Sequence, residues 1–138
     1  MESLLKGEAT KLRCGAGWTE FNIQTDGNIT PCPVMAGIKA FYLGNIRETN
    51  PMDLFNAVAP KEPCTTCSIL DVCGGRCLYA NATNLWGDEG CRLVCGTVVN
   101  LVESLRGVLP RVRRLIERGA LRLQDFEYVK YNSCEIIP

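Results

Sequence analysis

The sequence predicts a small α+β domain, in which a β-hairpin and a loop-rich, cysteine-bearing middle are followed by C-terminal helices. Three observations support this fold class. Residues 20–24 alternate polar and apolar side chains, as a half-buried strand does. Four cysteines crowd into residues 64–77, a stretch that also contains two adjacent glycines. Beyond residue 90, apolar side chains recur at helical spacing.

The composition bounds the class of protein. The chain has 138 residues, of which 46% are hydrophobic and 22% charged, and this suits one domain with a modest core. Lysine plus arginine and aspartate plus glutamate both number 15, so no net charge favours binding to nucleic acid. The apolar stretches look too short to cross a bilayer and no secretory leader is recognised, so we expect a cytoplasmic protein with no membrane partner.

A hairpin is expected early in the chain. Residues 20–24 form its first strand and residues 29–30 continue its return strand. Between them, Asp26-Gly27 is a two-residue turn signal in which both central residues need positive φ. Cys14 precedes the first strand and Cys32 closes the second, so both cysteines should lie at the open end of the hairpin.

Helices are predicted over residues 48–58, 78–86, 91–106 and 109–118. Asn50 caps the first of these helices, and Gly107 separates the last two. The chain is therefore divided into a lead-in segment (1–13), a cysteine-bearing domain (14–106) and a C-terminal helix with a tail (107–138).

Nine cysteines and no histidine determine which chemistry is available. The usual neutral-pH acid–base group is missing, so we assign no catalytic residue and expect thiolates to carry the chemistry. In a reducing cytoplasm, thiols are metal ligands before they are disulfide partners, and an odd count would leave one thiol over. The cysteines are Cys14, Cys32, Cys64, Cys67, Cys73, Cys77, Cys91, Cys95 and Cys134.

The central block, residues 64–77, has the spacing C-x2-C-x5-C-x3-C. Taken alone, this block fits either a structural zinc site or iron–sulfur ligation. Gly74 and Gly75 are predicted to let the backbone approach a bulky inorganic core. Two more thiols flank the hairpin, and Cys91 and Cys95 lie one helical turn apart, so the chain can supply the eight thiolates that two four-iron clusters need.

The order of these positions resembles the SPASM domain, the auxiliary-cluster domain of many radical S-adenosylmethionine enzymes that modify peptides and proteins. Cys14, Gly27 and Cys32 fit C-x12-G-x4-C, the central block follows in order, and a further cysteine comes after a gap. The phrases IQTDGNITPCP, YLGNI and CGGRC also resemble the family. The resemblance runs from about Cys14 to Leu105.

The resemblance implies two auxiliary [4Fe–4S] clusters. The first cluster would be held by Cys14, Cys32 and Cys77, and its fourth site would be open or filled by Cys91 or Cys134. The second cluster would be held by Cys64, Cys67, Cys73 and Cys95, with Cys91 as the alternative to Cys95. Cys77 would thus cross over from the central block to the first cluster.

The resemblance also implies a role in electron relay and substrate engagement. The radical-generating cluster of the superfamily needs C-x3-C-x2-C, but Ala80 and Val98 stand where the third cysteine would be. We therefore expect two partners: a radical S-adenosylmethionine core domain or subunit, which binds S-adenosylmethionine, and a peptide or protein substrate. A structural zinc-binding interaction module and a ferredoxin-like electron carrier are the alternative interpretations.

Overall fold

A three-stranded antiparallel sheet forms the β part of the structure. In the computed structural model, which describes residues 1–55 and 57–127, the strands are β1 (Asn22–Ile23), β2 (Asn28–Thr30) and β3 (Gly44–Asn45). They lie in the order β1-β2-β3, with Ile23 opposite Ile29. Together with the helices that follow, this sheet confirms the predicted α+β fold class.

The connection between β1 and β2 confirms a hairpin but not its predicted turn. The amide of Gln24 donates to the Asn28 carbonyl at 2.9 Å, so the loop spans more than two residues. Gly27 has a φ of 89°, whereas Asp26 is not among the residues with positive φ. The Asp26 carboxylate instead accepts a hydrogen bond from the Asn28 amide at 3.0 Å. An aspartate that bonds the backbone two residues on stabilises a turn without a left-handed conformation of its own.

The helical elements are short except for the last one. The α-helices of the described residues are α1 (Glu2–Lys6), α2 (Leu70–Cys73), α3 (Leu78–Thr83) and α4 (Gly87–Glu117). Single turns of 3-10 helix lie at Pro33–Met35, Lys39–Phe41, Pro51–Leu54 and Leu123–Phe126. The third helix is therefore shorter than the residues 78–86 predicted for it, because Asn84 adopts a left-handed conformation that ends the helix.

The helix predicted over residues 48–58 is reduced to the 3-10 turn Pro51–Leu54. Its predicted cap is present, because the Asn50 side chain accepts a hydrogen bond from the Met52 amide at 3.0 Å. The turn does not extend, since Met52 and Phe55 are more than half exposed and no buried apolar face supports a longer helix.

The two helices predicted over residues 91–106 and 109–118 are one continuous helix, so the predicted break at Gly107 is wrong. A glycine in a helix interior costs only about 1 kcal/mol relative to alanine, which tertiary contacts easily offset. Arg106 supplies one such contact, because its guanidinium lies 3.5 Å from the carboxylate of Asp71 in α2. Pro110 also lies inside α4. The predicted domain boundary after residue 106 therefore falls within a single helix.

The length of α4 also corrects the expectation that no apolar stretch could cross a bilayer. Its most apolar 18-residue window has a mean hydropathy of 1.3, so by length and composition alone this helix could cross a membrane. The predicted break at Gly107 divides this segment into two helices that are each shorter than a bilayer span. The window is mostly exposed: Leu101 is 57% exposed, whereas Val102 is 4% exposed.

The hydrophobic core joins the lead-in segment to the hairpin and to α3. Its buried members are Leu12, Ala16, Met35 and Leu78. The side chains of Cys14 and Cys32 pack against this cluster. Helix α1 contacts both α4 and the Leu123–Phe126 turn. Residues 1–13, predicted as a lead-in, therefore contribute a helix and a core residue to the folded unit.

A matched pair of methionine variants tests this core. Met35 is fully buried and Met52 is 68% exposed. We expect Met35→Ala to lower the free energy of unfolding by about 2–5 kcal/mol, because it leaves a cavity. Met52→Ala should change it by no more than about 0.5 kcal/mol. Guanidinium unfolding of the anaerobically purified protein measures both, and equal losses would contradict this core.

Candidate metal centres

Three thiols from distant parts of the chain come together beside the hairpin, and we call Cys14, Cys32 and Cys77 the hairpin group. Cys32 directly precedes the Pro33–Met35 turn, and Cys77 directly precedes α3. The charges of the Cys77 and Cys14 sulfurs both act on Cys32. Cys14 and Cys77 are thus close enough to Cys32 to influence its pKa, and the ligation of one cluster by these three residues stays a prediction.

The environment of Cys32 is mixed. Burial is the largest influence and raises the pKa of its thiol, and the charges of Cys77 and Cys14 add to the increase. The backbone N–H groups of Met35 and Val34 lower the same pKa, because they donate to the sulfur. These two amides are therefore placed to stabilise a thiolate once it is formed or bound to a metal.

A second set of thiols, which we call the central group, surrounds Cys64. Its members are Cys64, Cys67, Cys73, Cys91 and Cys95. Burial raises the pKa of Cys64 most, and the charges of Cys73, Cys91, Cys67 and Glu62 raise it further. The pKa of the Cys95 thiol is raised to about 11. Burial is the largest cause, followed by the hydrogen bond with Cys91 and by the charges of Cys91, Cys64 and Cys73.

The central group faces a cavity of about 790 Å³ between the block 64–77 and the first turns of α4. Trp86 and Val94 contribute apolar walls, and Arg76 contributes a positive charge. The cysteines on the cavity wall are Cys64, Cys73, Cys77, Cys91 and Cys95. Cys77 therefore belongs to the hairpin group by its electrostatic partners and also borders the cavity of the central group.

The position of Cys91 bears on which of the two proposed clusters it could ligate. Its Sγ lies 3.9 Å from the Sγ of Cys95, and its charge acts on Cys64. Cys91 is thus in the central group rather than beside Cys32. Within residues 1–55 and 57–127, the hairpin group consists of three thiols, and Cys134 lies outside the described residues.

The two glycines of the central block form a tight turn. Both adopt left-handed backbone conformations, with φ of 68° at Gly74 and 80° at Gly75. A Cβ on Gly74 would approach Thr10 Cγ2 to 2.8 Å, and a Cβ on Gly75 would approach Pro60 Cβ to 3.1 Å. Gly75 also lines the central cavity. The close approach of these glycines to an inorganic core stays a prediction.

Asn81 is a site residue that the sequence analysis missed. From α3, its Nδ2 donates to Cys64 Sγ at 3.5 Å and to the Lys61 carbonyl at 3.1 Å. Its Oδ1 accepts from the Lys61 amide at 2.6 Å. Asn81 thus fixes the chain segment that leads into Cys64 and directs an N–H group at the Cys64 sulfur. Its position one helical turn after Cys77 was the available signal.

The donor set suits both iron–sulfur clusters and zinc. The eight cysteines in the described ranges are free thiols, and soft thiolates bind either metal. Among the described residues, no three cysteine or acidic side chains converge closely enough to hold one metal ion. Four thiols of the central group, those of Cys64, Cys73, Cys91 and Cys95, line the cavity.

Comparison with known proteins adds one match. A family model for the SPASM iron–sulfur cluster-binding domain matches residues 14–77, just under half of the chain. The matched segment contains every member of the hairpin group together with Cys64, Cys67 and Cys73, and it ends before α4. The comparisons with curated proteins and with solved structures found no match.

The Asn81 contacts predict a local effect that hydrogen exchange can detect. Asn81→Ala removes the acceptor of the Lys61 amide, so exchange in a peptide spanning residues 57–66 should accelerate several-fold, as a lost hydrogen bond of about 1 kcal/mol implies. Asn100→Ala, at an exposed position of α4, is the matched control and should leave this peptide unchanged. Equal exchange in the wild-type chain and Asn81→Ala would refute the contact.

Proposed function

We propose that the chain is the auxiliary cluster module of a radical S-adenosylmethionine enzyme that modifies a peptide or protein, because residues 14–77 match the family model of the SPASM iron–sulfur cluster-binding domain. The observation that carries the proposal is the separation of the thiols into two groups. Thiols from the hairpin, the central block and α4 meet at two adjacent places, and each place offers at least three soft ligands.

Under this proposal each group holds one [4Fe–4S] cluster. Cys14, Cys32 and Cys77 ligate the first cluster and leave its fourth iron for Cys134 or for a group of the substrate. Cys64, Cys67 and Cys73 ligate the second cluster together with a cysteine from α4. When bound, the clusters supply one-electron transfer, so the module relays electrons and engages the substrate.

The protein's own contribution is to shield the sulfurs and to donate hydrogen bonds to them. The Val34 and Met35 amides face Cys32, and the Asn81 amide group faces Cys64. Donors to a ligand sulfur stabilise the reduced, more negative state and therefore raise the potential. The positive charge of Arg76 on the cavity wall also stabilises the reduced state and so raises the reduction potential.

The proposal assigns the radical chemistry to a partner. Since the sequence contains no C-x3-C-x2-C, S-adenosylmethionine is bound by a core domain in the same protein or in another subunit. The substrate is a peptide or protein, and nucleic acid is not a partner.

Anaerobic reconstitution with iron and sulfide tests the proposal. We expect about eight irons and about eight sulfides per chain, with the absorption band of iron–sulfur clusters near the visible region. A chelator should remove the iron and abolish the band. Stoichiometric zinc with no sulfide, under the same conditions and with both metals offered, would instead support a structural zinc module and overturn the proposal.

A further inference from the structure

Beyond the matched residues, α4 brings two thiols to a place where one fourth ligand would suffice. The Sγ atoms of Cys91 and Cys95 are 3.9 Å apart, one helical turn from each other. With Cys64, Cys67 and Cys73, they give the central group five thiols, whereas a [4Fe–4S] cluster offers four irons. One sulfur is therefore in excess and lies next to a ligand.

The two thiols of α4 are close to equivalent with respect to the rest of the group. Both are half-buried and both border the central cavity. Cys91 lies near enough to Cys64 for its charge to act there, and the charges of Cys64 and Cys73 act likewise on Cys95.

We propose that Cys91 and Cys95 are an exchangeable ligand pair, in which either sulfur completes the coordination of the central cluster while the other remains beside it as a hydrogen-bonded thiol. This inference rests on the proposed function, because it requires a cluster in the central cavity. Since the sulfurs are within hydrogen-bond distance of each other, exchange needs side-chain rotation but no movement of α4.

The exchange is balanced without any further reagent. One iron–sulfur bond to the departing thiolate breaks, and one bond from the same iron to the incoming sulfur forms. The proton of the incoming thiol passes to the departing thiolate, which becomes the new neutral thiol. No electrons are gained or lost, so neither an oxidant nor a reductant takes part. The uncoordinated thiol donates an S–H···S hydrogen bond, which raises the potential of the cluster.

Iron content separates an exchangeable pair from a single fixed ligand. The full chain is reconstituted anaerobically as wild type, Cys91→Ala, Cys95→Ala and the double variant. We expect about eight irons in the wild type and in each single variant. The double variant leaves three thiols in the central group, so its central cluster should be held less tightly and should lose more iron to a chelator than the wild type does. Cys67→Ala is the matched control: it also leaves three ligands when only one sulfur of the pair binds at a time, and it should lose iron to the chelator to the same extent.

Any one of three results would overturn the proposal that Cys91 and Cys95 are exchangeable ligands. These are an iron content below the wild-type value in either single variant, chelator resistance equal to that of the wild type in the double variant, or chelator resistance equal to that of the wild type in Cys67→Ala. A wild-type chain that takes up no iron would overturn the proposed function as well, so the two failures are distinguishable.

The reduction potential provides a second readout that a merely structural role would not move. In both single alanine variants the uncoordinated thiol is gone, so the potential of the central cluster should become more negative than in the wild type. Cys91→Ser and Cys95→Ser keep a hydroxyl donor and should shift the potential less. Redox titration followed by electron paramagnetic resonance measures this, and a wild-type potential in both alanine variants would contradict the hydrogen-bonded thiol.

Discussion

The position of Cys77 is the constraint on which the rest of the structure depends. Its sulfur interacts with Cys32 of the hairpin, yet it borders the same cavity as Cys64 and Cys73. The block of residues 64–77 therefore contributes cysteines to both thiol groups. Both groups therefore depend on where this block lies relative to the hairpin and to the start of α4.

The surrounding fold is arranged to hold these segments rather than to build long regular elements. Strands of two or three residues suffice, because the core formed by Leu12, Met35 and Leu78 ties the N-terminal segment, the hairpin and α3 together. Asn81 then fixes the approach to Cys64 from α3. Helix α4 reaches the cavity with its first turns and contacts α1 elsewhere along its length.

The cysteine spacing predicted much of the site, because ligand spacing is a local property of the sequence. The hairpin and the Asn50 cap were predictable for the same reason. The continuity of α4 was not, since Gly107 is a local breaker whose effect tertiary contacts override. Asn81 meets Lys61, 20 residues away, and no local pattern reports such a pairing. The number of clusters and their ligands remain predictions.

The crossing of Cys77 is tested most directly by counting iron in double variants of the reconstituted chain. If Cys77 shares a cluster with Cys14, then Cys14→Ala, Cys77→Ala and their double variant should each retain about four irons, because the central cluster keeps its ligands; Cys64→Ala combined with Cys77→Ala removes a ligand from each cluster and should retain less iron than that double variant. The opposite pattern, in which Cys14→Ala with Cys77→Ala loses all iron while Cys64→Ala with Cys77→Ala retains about four, would contradict the account.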